Sequence, residues 1–342
     1  MTRRHLVLVS YGEPQAPSFT EQFAYSHRIL RNLTRIIAAI PAPLIPLIAL
    51  SRAHGRRKLW RRWGYGSPLE GITREQARRI KATLDAAFPD GGWVSHVAYE
   101  FRRPFLGDVL RALPSDEPIW IAPMYAADSA FTHALSRQVA DGINESGRRG
   151  RPVQVLSAIE AESLAELSAG HVLDCLGFDG DQGRSTALVL AAHGTLLEPA
   201  KPIDTGRENT ERLCEAIKTR LAPSFGMVAH GWLNHTRGGR WTEPPVEQTL
   251  QGVSDAGYSK VAYFPYGFLA DNAETQLEGR VIAARHPQMD VRFVPCLNAT
   301  ASLLDAIAAQ VMSTLEATRP AALPSEGRLS TIPSRIRRLP AD

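Results

Sequence analysis

The chain has 342 residues, of which 44% are hydrophobic and 22% charged, with a formal net charge of +4. This length suits two domains of ordinary size, and the composition is that of a globular protein. The small, dispersed positive charge argues against nucleic-acid binding. Three well-separated cysteines, Cys175, Cys214 and Cys296, argue against a disulfide framework and a CxxC zinc site, which favours a reducing, cytoplasmic location.

The first half of the chain alternates between strand-like and helix-like patterns. Runs of Val, Ile, Leu and Ala without clean alternation are typical of strands buried on both faces, and they occur at 5–10, 93–99, 118–124 and 153–159. Between them, TREQARRIKATLDAAF has the spacing of an amphipathic helix. The opening apolar run is short, so it predicts a strand rather than a signal peptide.

An apolar stretch with three prolines, IIAAIPAPLIPLIAL, occupies residues 36–50. It falls short of the roughly 18 apolar residues that a membrane span needs. One interpretation is a buried helix-turn-helix segment. The other is an apolar lip around a flat ligand, or an edge that touches a membrane, because exposed apolar patches are uncommon without a purpose.

The second half repeats the alternation, with strand-like runs at 187–193, 226–233, 260–266 and 291–296. Strand and helix in alternation predict parallel sheets. We therefore predict an α/β fold of two Rossmann-like halves, each a four-stranded parallel sheet flanked by helices, with a cleft between them. The predicted ranges are 1–160 for the N-terminal half, 161–317 for the C-terminal half, and 318–342 for a flexible tail rich in Pro, Ser and Arg.

The most informative polar residues stand at the ends of two predicted strands of the second half. ALVLAAHG ends in His193, and KVAYFPY leads into GFLADNAETQLEGR, where Glu274 and Glu278 share a helix face. An imidazole and a carboxylate facing one cleft can remove protons and hold a divalent metal. The structural alternative is a loop histidine without a role beside a capping box of Asp271 and Glu274.

The first half has an analogous strand tip, where Tyr11 and a glycine follow LVLVS. The turn WGYGSP then precedes a helix, and its lone GxG does not support a dinucleotide site. The segment NHTRGGRWTEPPVEQTL, residues 234–250, predicts either an ordinary surface loop or a wall that offers the ring of Trp241 and cationic groups to a carboxylated ring system.

Taken in order, these motifs resemble those of the ferrochelatases, the enzymes that insert ferrous iron into a porphyrin. The resemblance covers about residues 5 to 312 and rests on LVSYGEP, GYGSPLEGITREQA, AAHG, WTEPPVEQTL, YGFLADNAETQLE and VPCLNATASLLDAI. It implies that His193 and Glu274 are the catalytic pair and metal contacts beside the porphyrin centre, with Tyr11 on the opposite face. Glu278 would conduct the metal towards this pair or protons away from it. Tyr11, in place of the histidine usual in cobalt chelatases, favours the ferrochelatase branch.

Further expectations follow from the same resemblance. Arg28 and Arg31 are candidates for the substrate's propionates, with solvated helix arginines as the alternative, and Ser67, Tyr125 and Trp241 are candidates for other porphyrin contacts. The implied reaction uses Fe²⁺ with protoporphyrin IX or coproporphyrin III in heme biosynthesis. We expect a monomer with no tightly bound cofactor, no iron–sulfur cluster and no nucleic-acid partner. We also expect no membrane span, which leaves peripheral contact as the one form of membrane association still open.

Three segments depart from the family's usual pattern, and they keep other functions open. These are the loop 195–206, Asn272 in place of a histidine, and Asn234-His235-Thr236-Arg237 in place of Gln-Ser-Arg. One alternative is a ferrochelatase-like protein that binds a tetrapyrrole or another chelator without iron insertion, or inserts a different divalent metal. Another is a two-lobed sensor of the periplasmic-binding type, against which the absence of a signal sequence argues.

Overall fold

The computed structural model describes residues 3–36, 40–89, 92–146, 152–178, 180–199, 201–234 and 239–317. The predicted flexible tail, 318–342, lies outside the described residues, as do His235, Thr236 and Arg237.

The first sheet contains four parallel strands in the order β2-β1-β3-β4. They are β1 (Arg4–Ser10), β2 (Trp93–Tyr99), β3 (Ile119–Pro123) and β4 (Val153–Val155). The second sheet has the equivalent order, β6-β5-β7-β8, and is also parallel. Its strands are β5 (Thr186–His193), β6 (Met227–Leu233), β7 (Lys260–Phe264) and β8 (Asp290–Phe293). All eight predicted strands and the two parallel sheets are therefore confirmed.

Helices flank both sheets. Those of the first half are α1 (Phe19–Ile36), α2 (Leu44–Arg62), α3 (Leu69–Ala87), α4 (Leu106–Ala112) and α5 (His133–Glu145). Those that follow are α6 (Ala161–Leu176), α7 (Arg207–Leu221), α8 (Val246–Asp255), α9 (Gly279–Ala283) and α10 (Ala301–Ala317). Short 3₁₀ turns cover Gly180–Ser185 and Ala222–Ser224, and a π-helix covers Glu274–Glu278.

The two halves share one hydrophobic core. Leu8 of β1 and Leu190 of β5 are fully buried and belong to the same cluster of apolar side chains. Helix α10, which ends the described part of the chain, packs against α3 of the first half. Beside it, the side chain of Gln76 on α3 donates a hydrogen bond of 2.7 Å to the carbonyl oxygen of Asn298. The two halves are thus held against each other by packing as well as by the chain connection.

The interpretation of the apolar stretch 36–50 as a buried segment is only partly correct. Ile45 and Ala49 on α2 are buried in a cluster with Leu30 of α1, as a packed helix pair requires. The opposite face of α2 is exposed, at Leu44 (46%), Leu47 (62%), Ile48 (36%) and Leu50 (48%). The segment is therefore not wholly buried, because α2 packs on α1 through one face only.

Candidate active site

His193 is the last residue of β5, the strand that pairs with both β6 and β7. The strand residues from Ala187 to Ala192 are buried, whereas the His193 side chain is 47% exposed. The next residue, Gly194, packs closely on Asn234, because a Cβ there would lie 1.8 Å from Oδ1 of that side chain. The imidazole of His193 therefore stands at the carboxyl edge of the sheet, where β5 ends.

Glu274 reaches His193 from the neighbouring strand. It is the first residue of the π-helix that follows β7, and its Oε1 lies 2.7 Å from Nδ1 of His193. Partial loss of hydration around the half-exposed ring would by itself lower the pKa of His193, but the nearby charges of Glu274 and Glu278 outweigh this effect and raise the pKa. A proton on Nδ1 donated to Glu274 makes Nε2 the basic nitrogen of the neutral ring.

The start of the π-helix is capped differently from the predicted capping box. Oδ1 of Asn272 accepts hydrogen bonds from the amides of Glu274 (2.8 Å) and Thr275 (3.3 Å), and the Thr275 hydroxyl accepts one from the Asn272 amide at 3.0 Å. Asp271 instead accepts bonds from the Cys296 amide and the Asn298 side chain. The capping box of Asp271 with Glu274 is therefore wrong, and the Glu274 carboxylate is available to His193.

Glu278 ends the same π-helix. Burial, followed by the charge of Glu274, raises its pKa to about 7, while Arg56 and His193 oppose this rise. The regular helix that we expected here is replaced by the wider π form, which is frequent at functional sites. A carboxyl group with this pKa exchanges protons readily at neutral pH.

Tyr11 enters the cleft from the other half, directly after β1. Burial first, and then charges that include Glu13 and Glu274, raise the pKa of its phenol well above the ordinary value. Two residues further on, the Glu13 side chain is bonded to the amide of Ala273, so the turn after β1 lies beside the residues that follow β7.

The comparisons with known proteins agree with this geometry. A family profile described as ferrochelatase matches residues 3–315. The chain belongs to the ferrochelatase family. Among curated members, a ferrochelatase of Gloeobacter violaceus is 25% identical over 324 residues, covering 91% of this chain and 97% of that protein. One of Stenotrophomonas maltophilia is 27% identical over 330 residues, with the same coverage.

Two solved structures share the fold. DR2241 from Deinococcus radiodurans, whose structure is described as similar to chelatases with two additional domains, has a TM-score of 0.51 at 15% identity. The match covers 91% of this chain and 55% of DR2241. SirB from Bacillus subtilis with Fe³⁺ has a TM-score of 0.50 at 10% identity and covers 93% of this chain and 98% of its own.

The remaining residues implied by membership of the ferrochelatase family lie in different surroundings. Ser67, before α3, donates a short hydrogen bond to the Glu13 carboxylate. Tyr125 follows β3 and lies near the buried carboxyl group of Glu100; burial, then Glu100, raises its pKa far above the ordinary value. Trp241 forms an isolated bridge with Leu196, which joins the altered 195–206 loop to the predicted aromatic wall.

Of the two arginines predicted to bind the propionates, Arg28 is bonded within the first half and Arg31 is exposed. Nε of Arg28 donates to the carbonyl oxygen of Glu100 at 2.7 Å, and its guanidinium lies 3.5 Å from the centre of the Phe105 ring. Arg31 is exposed on α1. Arg28 therefore already holds α1 to the end of β2, and propionate binding by this pair stays a prediction.

Sequence reasoning missed two charged residues beside the cleft. Glu13 is buried two positions after Tyr11, and Arg56 on α2 influences the pKa values of both Glu13 and Glu278. The sequence signal that could have identified Glu13 is its charge, because it lies in the turn that follows a buried strand. Nothing in the basic run of α2 distinguishes Arg56 from its neighbours.

Proposed function

We propose that this metal chelatase inserts ferrous iron into a porphyrin. The observation that carries the proposal is the 2.7 Å contact between His193 and Glu274 at the strand tips of one half, facing the cleft that Tyr11 enters from the other half. Membership of the ferrochelatase family supports a metal chelatase, and the iron and porphyrin identities are the finer parts of the proposal.

Metal insertion requires two pyrrole N–H protons to leave the porphyrin centre. Nε2 of His193 accepts one, and Glu274 stabilises the imidazolium that forms because its carboxylate is bonded to Nδ1. Glu278, with its pKa near 7, passes protons between this pair and the cleft exterior. The exchange balances charge, since two protons leave as one divalent cation enters.

The donor groups also suit the incoming metal. Imidazole nitrogen and carboxylate oxygen bind borderline divalent ions such as Fe²⁺, Co²⁺ and Zn²⁺. His193 and Glu274, with Glu278 behind them, would replace part of the metal's water shell before the pyrrole nitrogens take over. Tyr11, from the opposite half, would contact the other face of the ring.

The deciding experiment is an anaerobic insertion assay with the purified protein. Fe²⁺ is supplied with either protoporphyrin IX or coproporphyrin III, and the shift of the Soret and Q bands is followed. We expect insertion into at least one of the two, with Zn²⁺ and Co²⁺ as alternative metals. Tight porphyrin binding without insertion of any of these metals would contradict the proposal.

A second candidate is a family member that binds a tetrapyrrole without inserting iron, or inserts a different metal. The altered loop favours it: the Leu197 amide donates to the Arg240 carbonyl oxygen at 2.8 Å, so the loop folds onto the segment that carries Trp241. Because the loop directly follows His193, an altered loop would change the surroundings of a bound ring. The same assay separates the candidates, because fluorescence quenching of the porphyrin reports binding while the band shift reports insertion.

Peripheral membrane contact is a further part of the proposal. No helix in the described ranges is long and apolar enough to span a membrane. The exposed apolar face of α2, however, lies in a segment, residues 22–69, that contains nine Lys or Arg and no Asp or Glu. The net charge is thus concentrated rather than dispersed, and an anionic bilayer complements both features.

Vesicle co-sedimentation tests this contact. We expect binding to phosphatidylglycerol-containing vesicles, little binding to pure phosphatidylcholine, and weakening by salt. Leu47→Glu should reduce binding, whereas Leu173→Glu, which alters an exposed leucine on α6 outside the apolar face of α2, should not. Equal loss in both variants, or no binding by the wild type, would contradict the contact.

A further inference from the structure

Glu13 is a buried carboxylate that the mechanism above does not use. It follows the tip of β1 and is 3% exposed. Its two oxygens lie 3.0 and 3.3 Å from the amide nitrogen of Ala273, which donates the hydrogen bond. Ala273 directly precedes Glu274. One side chain of the first half is therefore bonded to the backbone at the start of the π-helix of the second half.

The first half fixes the orientation of this carboxylate. Oε1 accepts a short hydrogen bond from the Ser67 hydroxyl and a longer one, 3.4 Å, from the Tyr65 hydroxyl. The turn beneath it is equally constrained, because Gly12 has φ +68° and a Cβ there would lie 2.6 Å from Cβ of Tyr99. Glu13 thus projects from a rigid turn, and its bond to Ala273 transmits that position to the other half.

The opposite side of the π-helix start is also held from the first half. Asp271 accepts a 2.7 Å hydrogen bond from the side chain of Asn298, whose carbonyl oxygen accepts the bond from Gln76 on α3. Asp271 in turn accepts a bond from the Thr275 hydroxyl at 3.2 Å. The backbone that carries Glu274 is therefore fastened on two sides.

We propose that Glu13 is a positioning residue for metal insertion, which holds Glu274 at bonding distance from His193 through the Ala273 amide. This inference rests on the proposed function. A shift of about 1 Å in a reacting group is enough to reduce turnover on the order of 100-fold. Because Glu13 is buried and bonded to protein groups rather than placed to contact a substrate, we expect loss of the bond to lower turnover more than substrate affinity.

The nature of the bond suggests the variants. Burial raises the pKa of Glu13 to about 7, against the hydrogen bond from Ser67 and the charge of Arg56, so the neutral acid is well populated at neutral pH. Glu13→Gln is a close mimic of that form, with a carbonyl oxygen for Ala273 and an amide group for Ser67. Glu13→Met keeps the volume and removes the acceptor. Glu13→Ser, too short to reach Ala273, serves as a second variant should Glu13→Met not fold.

Steady-state insertion by these variants gives the first readout. We expect Glu13→Met to lower kcat at least about tenfold with the KM for porphyrin within about twofold, and Glu13→Gln to stay within about threefold of the wild type. The matched control is Glu70→Met: Glu70 is also buried, but its partners Gln15, Arg74 and Arg102 all belong to the first half. Its kcat should be unchanged.

Two outcomes would overturn the inference. A near-normal kcat for both Glu13→Met and Glu13→Ser would show that the bond does not position Glu274. A Glu13→Gln variant as impaired as Glu13→Met would show that the charge, rather than the hydrogen bond, matters.

Hydrogen exchange of the peptide covering 265–280 gives a second readout that is independent of activity. Exchange should accelerate in Glu13→Met and not in Glu70→Met, and equal exchange in the two would also overturn the inference. If the wild-type protein inserts no metal but the exchange result is as expected, the proposed function fails while the contact between the halves stands.

Discussion

The two halves have the same strand order but use the ends of their strands differently. After β1 the chain forms the helix pair α1–α2 before α3, whereas after β5 it proceeds through a loop directly to α7. After β3 the chain enters the ordinary helix α5, whereas after β7 it enters a π-helix that carries Glu274 and Glu278. The comparison teaches that one scaffold can carry different strand-end structures: a helix pair with an exposed apolar face in the first half, and the paired side chains of His193 and Glu274 in the second.

The largest expected effect would come from the pair in the second half. His193→Ala and Glu274→Gln should each reduce insertion by about 100-fold or more, the usual scale for general acid–base groups. Glutamine at 274 keeps the size of the side chain and removes its charge, and the helix start keeps its cap from Asn272. Porphyrin binding, measured by fluorescence quenching, should change little. Insertion at the wild-type rate by Glu274→Gln would contradict the role of this carboxylate.

The shared core predicts that the halves unfold together despite their different uses. Leu8→Ala in the first half and Leu190→Ala in the second should each cost about 2–5 kcal/mol of unfolding free energy, because both side chains are fully buried in one cluster. Calorimetry should show one transition, which either substitution shifts to lower temperature. Two transitions, with each substitution moving only one of them, would make the halves independent domains.

A smaller effect, on the pH dependence of stability, is expected at Glu100 in the first half. Burial raises its pKa to about 8, with Tyr125 in partial opposition. The folded protein therefore binds more protons than the unfolded chain between about pH 4.5 and 8, so this group makes the free energy of unfolding fall as the pH rises through that window. Glu100→Gln should raise stability at pH 8 by about 1–2 kcal/mol and flatten this part of the profile.

The control for that profile is Glu166→Gln, at an exposed position on α6. Its unfolding curve should follow the wild type at every pH. A steeper fall in stability for Glu100→Gln than for the wild type would show that the Glu100 carboxylate is stabilised in the fold, contrary to the expected sign.

The smallest effect is expected at the carboxyl end. Removal of residues 318–342 should change the unfolding free energy by less than about 0.5 kcal/mol, since the composition of this segment provides little apolar surface to bury. Thermal unfolding of the shortened chain tests the prediction. A loss of several kcal/mol would mean that the segment packs on the body of the protein.

The features predicted correctly from the sequence are those that short stretches of residues determine. The apolar runs of β1 and β5 indicated buried parallel strands, and the polar residues at the strand ends led to His193 and Glu274, which do lie in contact. The π-helix and its Asn272 cap were missed because the expected regular helix has almost the same pattern. Glu13 was missed because its partner, Ala273, is an apolar residue 260 positions away that contributes only its backbone amide.

The crossing of α10 to the first half has a consequence for synthesis on the ribosome. The face of α3 that includes Ile80 and Leu84 belongs to the same core as Leu303 and Ile307 of α10. At ordinary translation rates, roughly 10–45 s separate the appearance of α3 from that of α10. Throughout that interval α3 can pack on β1 and β2 but lacks its neighbour α10, so we expect holding chaperones to act on this chain until α10 leaves the exit tunnel.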